Sequence, residues 1–206
     1  MRIKVNYDAI AWTLLILLGA QFMLFLVSWI ISAAWPEAEV RSLLSSEALR
    51  WFMGGFVDNI ASKPLVWILL LSMAYGIARE SHIVDALKKR KMNSYRQTFA
   101  LRIVLGELIV ITFLMAAISV LPHAPLRSIT GQLMPSSFSN SLIPVLAFTI
   151  FIMAATYALL TGVMRKPADV LKALAKGIGD AGVIIVAYVV VAELILSFFY
   201  VFRISI

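Results

Sequence analysis

Residues 79 to 102, RESHIVDALKKRKMNSYRQTFALR, lie between two runs so apolar that neither would dissolve alone. The stretch carries Arg79, Lys88, Lys89, Arg90, Lys91, Arg96 and Arg102 against only Glu80 and Asp85. A short loop this basic is held on the cytoplasmic side of a bilayer, because Lys and Arg resist translocation. Lys88, Lys89, Arg90 and Lys91 are therefore read as topology-setting, and their placement fixes the direction of every flanking helix. Nucleic acid is the rival partner for a basic cluster. The apolar flanks favour the lipid bilayer instead, so no nucleic-acid partner is expected.

Composition agrees with a bilayer. Hydrophobic residues make up 62% of the 206 and charged residues 14%, far from the balance of soluble domains. The net charge of +7 then describes basic loops rather than a binding groove. There are no cysteines, so disulfides and thiolate metal sites are excluded. His82 and His123 fall in loops on opposite sides under the expected topology, and no metal or cofactor is expected.

The reading is an all-α polytopic membrane protein, one transmembrane domain over residues 1 to 206, with about five spans. Each span needs roughly 20 apolar residues. The first, residues 9 to 35, is too long for a signal-peptide core and is read as uncleaved. Residues 36 to 63 are mixed in charge. Ser45 or Ser46 can cap a helix with Glu47 in its first turn. Leu49, Phe52, Met53, Phe56 and Val57 follow at helical spacing, as in a piece lying at the interface or beneath a neighbouring span. The second span, residues 64 to 78, reaches only about 22 Å against a hydrocarbon core of about 30 Å. It must borrow from residues 56 to 59 or be a broken helix buried by neighbours.

The third span is residues 103 to 121, followed by the turn-rich residues 122 to 141. The fourth is 142 to 164, with Pro144 in its first turn, where proline is tolerated. Pro167 and Asp169 open a short amphipathic helix, and residues 182 to 202 form the fifth span. With the N-terminus inside, thirteen of the 18 Lys and Arg are cytoplasmic and five are not. The bias favours the N-terminus in and the C-terminus out.

Phosphate-binding glycine loops, nucleophile elbows and metal-ligand patterns do not occur, and the serines have no nearby His and Asp to activate them. The chain reads as a non-enzyme. Two acids fall within the spans. Glu107 lies about 7.5 Å along a helix from Arg102, close enough to the cytoplasmic interface to be solvated or ion-paired. Glu193 lies about 16 Å beyond Gly182, near the bilayer centre. A charge there is costly unless paired or neutralised, which makes Glu193 the candidate for ion or proton coupling. The bland reading is a protonated Glu acting as interhelical hydrogen-bond glue. Gln21, Thr149, Tyr157 and Thr161 are its candidate polar neighbours on other spans.

Residues 40 to 81, and then residues 121 to 180, resemble the AbgT family, the p-aminobenzoyl-glutamate transporters. The resemblance is carried by Ala124-Pro125-Leu126-Arg127, Ser137-Phe138, Ile143-Pro144, Tyr157, Thr161-Gly162 and Asp169-Val170 in that order. Gly76 and Glu80 also fit the pattern, whereas His82 stands where the family usually has Gly and Glu193 where it tends to have Gln. The family handles substrate and coupling ion on two re-entrant hairpins. This chain has no room for the first before Pro122 and stops where the second would follow. The resemblance therefore implies a reduced form without a complete transport core, acting as a scaffold or accessory subunit of a bacterial inner-membrane complex. Partner chains, as a homo- or hetero-oligomer, are expected. The alternative is an oligomeric proton-coupled transporter of an organic anion of the aminobenzoyl-glutamate type.

Overall fold

The computed structural model describes residues 7–88, 94–120 and 137–204. Arg2, Lys4, Lys89, Arg90, Lys91, His123 and the Ala124 to Arg127 motif lie outside these residues. Every regular element among the described residues is helical, as a chain in lipid requires when its backbone groups must be satisfied within each segment.

In chain order the helices are α1 (Tyr7–Ala34), α2 (Ser46–Leu49), a π-turn (Arg50–Gly54), α3 (Phe56–Ile60), α4 (Lys63–Glu80), α5 (Ile83–Lys88), α6 (Tyr95–Val120), α7 (Ser137–Thr161), α8 (Pro167–Asp180) and α9 (Gly182–Val201). Among the described residues four stretches, Tyr7–Ala34, Tyr95–Ser119, Asn140–Thr161 and Gly182–Val201, are long and apolar enough to cross a membrane. The expected second span, α4, has 18 residues, about 27 Å, and its ends carry Lys63, Arg79 and Glu80. It does not borrow from residues 56 to 59. Ala61 and Ser62 separate it from α3.

Two boundaries differ from the sequence expectation for one reason: helices continue past their apolar runs into polar residues. α6 starts at Tyr95, so Arg96 and Arg102 ride on a helix rather than in a loop. α7 starts at Ser137, so Pro144 sits inside it rather than in its first turn and removes one intrahelical donor.

The chain forms two compact units, Met1–Val66 with Val183–Ile206, and Trp67–Gly182. In the first, Leu43, Ala48 and Val201 are buried together, with Leu24, Phe25 and Trp51 packed on them. Ser45 caps α2 by accepting from the Ala48 N–H at 3.1 Å. Leu43 is fixed by its N–H donating to the buried Ser28 Oγ at 3.1 Å. Phe52 meets Phe25 edge-on at 5.2 Å, while Met53 and Val57 stay exposed. The apolar set of this segment thus divides between packing and an outward face.

In the second unit α6 packs along α7, and the core gathers Ile77, Ile83, Ala100, Val104, Ala154, Tyr157, Ala158 and Ala173. α4 meets α8 at two glycines. A Cβ on Gly76 would lie 2.6 Å from Gly177 Cα, and one on Gly177 would lie 2.8 Å from Gly76 Cα. Both distances are inside any real carbon contact, so glycine at both positions is what permits the approach. Ion pairs Arg79 to Asp180 at 2.6 Å and Lys176 to Glu80 at 2.7 Å flank the crossing. Both are partly exposed and contribute little beside the packing.

Candidate functional site

α9 places Tyr188, Glu193 and Ser197 along an otherwise apolar span. Glu193 is 6% exposed, and neither carboxyl oxygen has a hydrogen-bond partner among the described residues. One turn on, the fully buried Ser197 Oγ accepts from Gln21 Nε2 of α1 at 2.7 Å. Gln21 Oε1 is also buried without a partner among the described residues. The seam between α1 and α9 thus holds three oxygens with unmet acceptor capacity, in a setting where an unpaired polar group is expensive.

Five residues before Glu193, the Tyr188 hydroxyl donates to the Ile60 carbonyl at 3.0 Å and pairs with Ser62 Oγ. Ile60 ends α3. The break before α4 therefore finds part of its missing hydrogen bonding on a neighbouring helix, as interrupted backbone in a membrane protein must.

In the second unit Tyr157, 2% exposed, lines a cavity of about 330 Å³ with Ser81, His82, Asp85, Arg96 and Thr161. The hydroxyls of Thr161 and Thr149 are spent on their own helix, donating to the carbonyls of Tyr157 and Val145, each at 2.7 Å. Glu107, expected to be solvated or ion-paired, accepts instead from Thr156 Oγ1 of α7 at 2.7 Å. The threonine faces it because α6 packs along α7. Lys88 ends α5 and is exposed. Among the described residues no three metal-ligating side chains converge.

Of the residues singled out from sequence, Gln21 thus belongs to the seam that carries Glu193, while Tyr157 and Thr161 share a cavity in the other unit. Ser197, Tyr188 and Thr156 were missed. Single hydroxyl residues in apolar helices carry no sequence signal until the packing partner is known. The glycine crossing was findable, since Ser72 to Gly76 and Ala173 to Gly177 both have the small-residue spacing of close helix contacts.

Outside the seam, Asp169 lies in the first turn of α8. Its carboxylate accepts from the N–H groups of Arg165 and Lys166, each at 3.1 Å. Those bonds hold its carboxyl below the ordinary range, with smaller help from the Lys172 and Lys166 charges.

No curated protein and no solved structure matches the chain. A family match covers residues 90–205, more than half of the 206. It takes in α6, α7, α8 and α9, and with them Glu107, Tyr157, Thr161, Asp169 and Glu193; residues 40 to 81 precede it. On that match this all-helical, multi-pass membrane protein belongs to the AbgT transporter family.

Proposed function

We propose that the chain is a scaffold or accessory subunit of a transporter-related complex in a bacterial inner membrane, with its N-terminus in the cytoplasm and without enzymatic activity. One observation carries the reading: α1 is left almost unpacked within its own unit. Ser28 is the only fully buried residue of α1, and Trp12, Ile16, Phe22 and Met23 are each more than half exposed. Spanning helices associate by close packing against other helices, so further chains, as copies or as partners, would cover this face. Purification in mild detergent followed by cross-linking tests this. Discrete oligomers or co-purified chains are expected, and a stable, strictly monomeric species overturns it.

The unpartnered Glu193 favours a second reading, in which oligomers carry an organic anion coupled to protons. Counterflow in proteoliposomes holding only this chain separates the two. Flux abolished by Glu193→Gln supports the carrier, and absence of flux for any organic acid supports the scaffold.

A further inference from the structure

The first unit holds a cavity of about 390 Å³ at the C-terminal end of α9. Its polar lining is basic: Arg41 and Arg203 face it, and no acidic residue does among those that line it. Neither arginine forms an ion pair among the described residues. The Arg41 guanidinium lies over the Tyr200 ring, 5.3 Å from its centre. Tyr200 in turn stacks on Trp51, with ring centres 4.4 Å apart and planes inclined by 18°. The wall thus offers two guanidinium groups to an acceptor that the described residues do not provide.

The backbone at Arg203 is a second, independent sign. The chain leaves α9 in a Schellman turn, with the Ile204 N–H donating to the Phe199 carbonyl at 3.0 Å and the Arg203 N–H to that of Tyr200 at 3.4 Å. The residue at this turn is left-handed, here with φ of 53°, and is usually glycine because a Cβ is strained there. An arginine in the glycine position keeps a long cationic side chain at the cavity at the expense of the turn. Strain of this kind gathers at binding sites.

We propose that this cavity binds the phosphate of an anionic phospholipid head group. Guanidinium groups match phosphate oxygens two at a time. The 20 residues of α9 span about 30 Å, the thickness of the hydrocarbon core, so a cavity at the helix end lies at head-group level. Trp51 and Tyr200 are of the residue types that gather at that level. The exposed Met53 and Val57 nearby in sequence, and Ile204 in the wall, give the upper acyl chain an apolar surface that a free phosphate ion would not use.

Native mass spectrometry of the purified full chain tests the site with three probes: phosphatidylglycerol, diacylglycerol and inorganic phosphate. One phosphatidylglycerol should be retained in preference to diacylglycerol, and millimolar inorganic phosphate should not displace it. Arg203→Gly should weaken retention about tenfold while leaving the melting temperature unchanged or higher, because glycine relaxes the turn. Arg41→Gln should weaken it similarly. Equal retention of diacylglycerol, or wild-type retention by both variants, overturns the proposal. Displacement by inorganic phosphate overturns the lipid as the source of the anion.

Discussion

A hydrogen bond between spanning helices is worth less than its isolation from water suggests, because the separated helices also find partners within the bilayer. The bond from Gln21 to Ser197 should therefore be modest. In a cycle of Gln21→Leu, Ser197→Ala and the double variant, unfolding in detergent should give a coupling of about 0.6 kcal/mol. Zero coupling would remove the contact that locates the seam. Outside the membrane, Asp169 gives a pH-dependent signal of known sign. Its carboxyl titrates below the ordinary range because it accepts the Arg165 and Lys166 amides. A depressed folded value means the bonds stabilise the start of α8 above the ordinary carboxylate value and are lost as pH falls through the folded one. NMR in micelles should show both amide resonances moving together below about pH 4, and Asp169→Asn should abolish that titration. At this scale Glu193 and Asp169 were legible, since a lone acid in an apolar run and an acid two residues after a proline each stand out. Ser197 and Thr156 were not, because a hydroxyl's role in a helix depends on the helix opposite.

Two glycines in α8 should respond to the same added methyl group with opposite signs. Gly177 faces Gly76 so closely that a Cβ would meet backbone at 2.8 Å, whereas a Cβ on Gly179 would meet nothing within 4 Å. Backbone cannot rotate away as a flexible side chain can. Gly177→Ala should therefore cost about 1–3 kcal/mol, and Gly179→Ala should gain up to about 1 kcal/mol of helix propensity. Thermal unfolding in one detergent reads both, and similar shifts for the two variants would refute the crossing of α4 and α8. The spans were legible at this scale because α1, α6, α7 and α9 each follow an apolar run. Their ends were less so. Tyr95 to Arg102 and Ser137 to Ser141 are polar-rich stretches inside helices, which hydropathy counts as loop although their backbone bonding is helical. Conversely, the break at Ala61 and Ser62 falls where proline and charge gave a cue, and Tyr188 supplies hydrogen bonding there.

At the scale of the whole molecule, what decides orientation is the distribution of cations along the chain rather than any contact between helices. Thirteen of 18 Lys and Arg lie in segments that share one side if α1 starts in the cytoplasm and α4 crosses the bilayer, and short basic segments resist translocation. Helix packing was not readable in the same way, because lipid and neighbouring helices are equally apolar and the pattern that separates core from solvent in soluble proteins is missing. The absence of cysteine makes orientation directly measurable, since any thiol introduced is the only one. Glu37, in the connection after α1, and Ser94, just before α6, are both exposed. A membrane-impermeant maleimide added to intact cells should label Glu37→Cys nearly completely and leave Ser94→Cys unlabelled until the membrane is opened. Reversed labelling would place the basic stretch outside and overturn the orientation for every span at once. Labelling of both from outside would mean that an odd number of crossings does not separate Ser94 from α1. That result would remove α4 as a span and leave the four long helices to account for the topology.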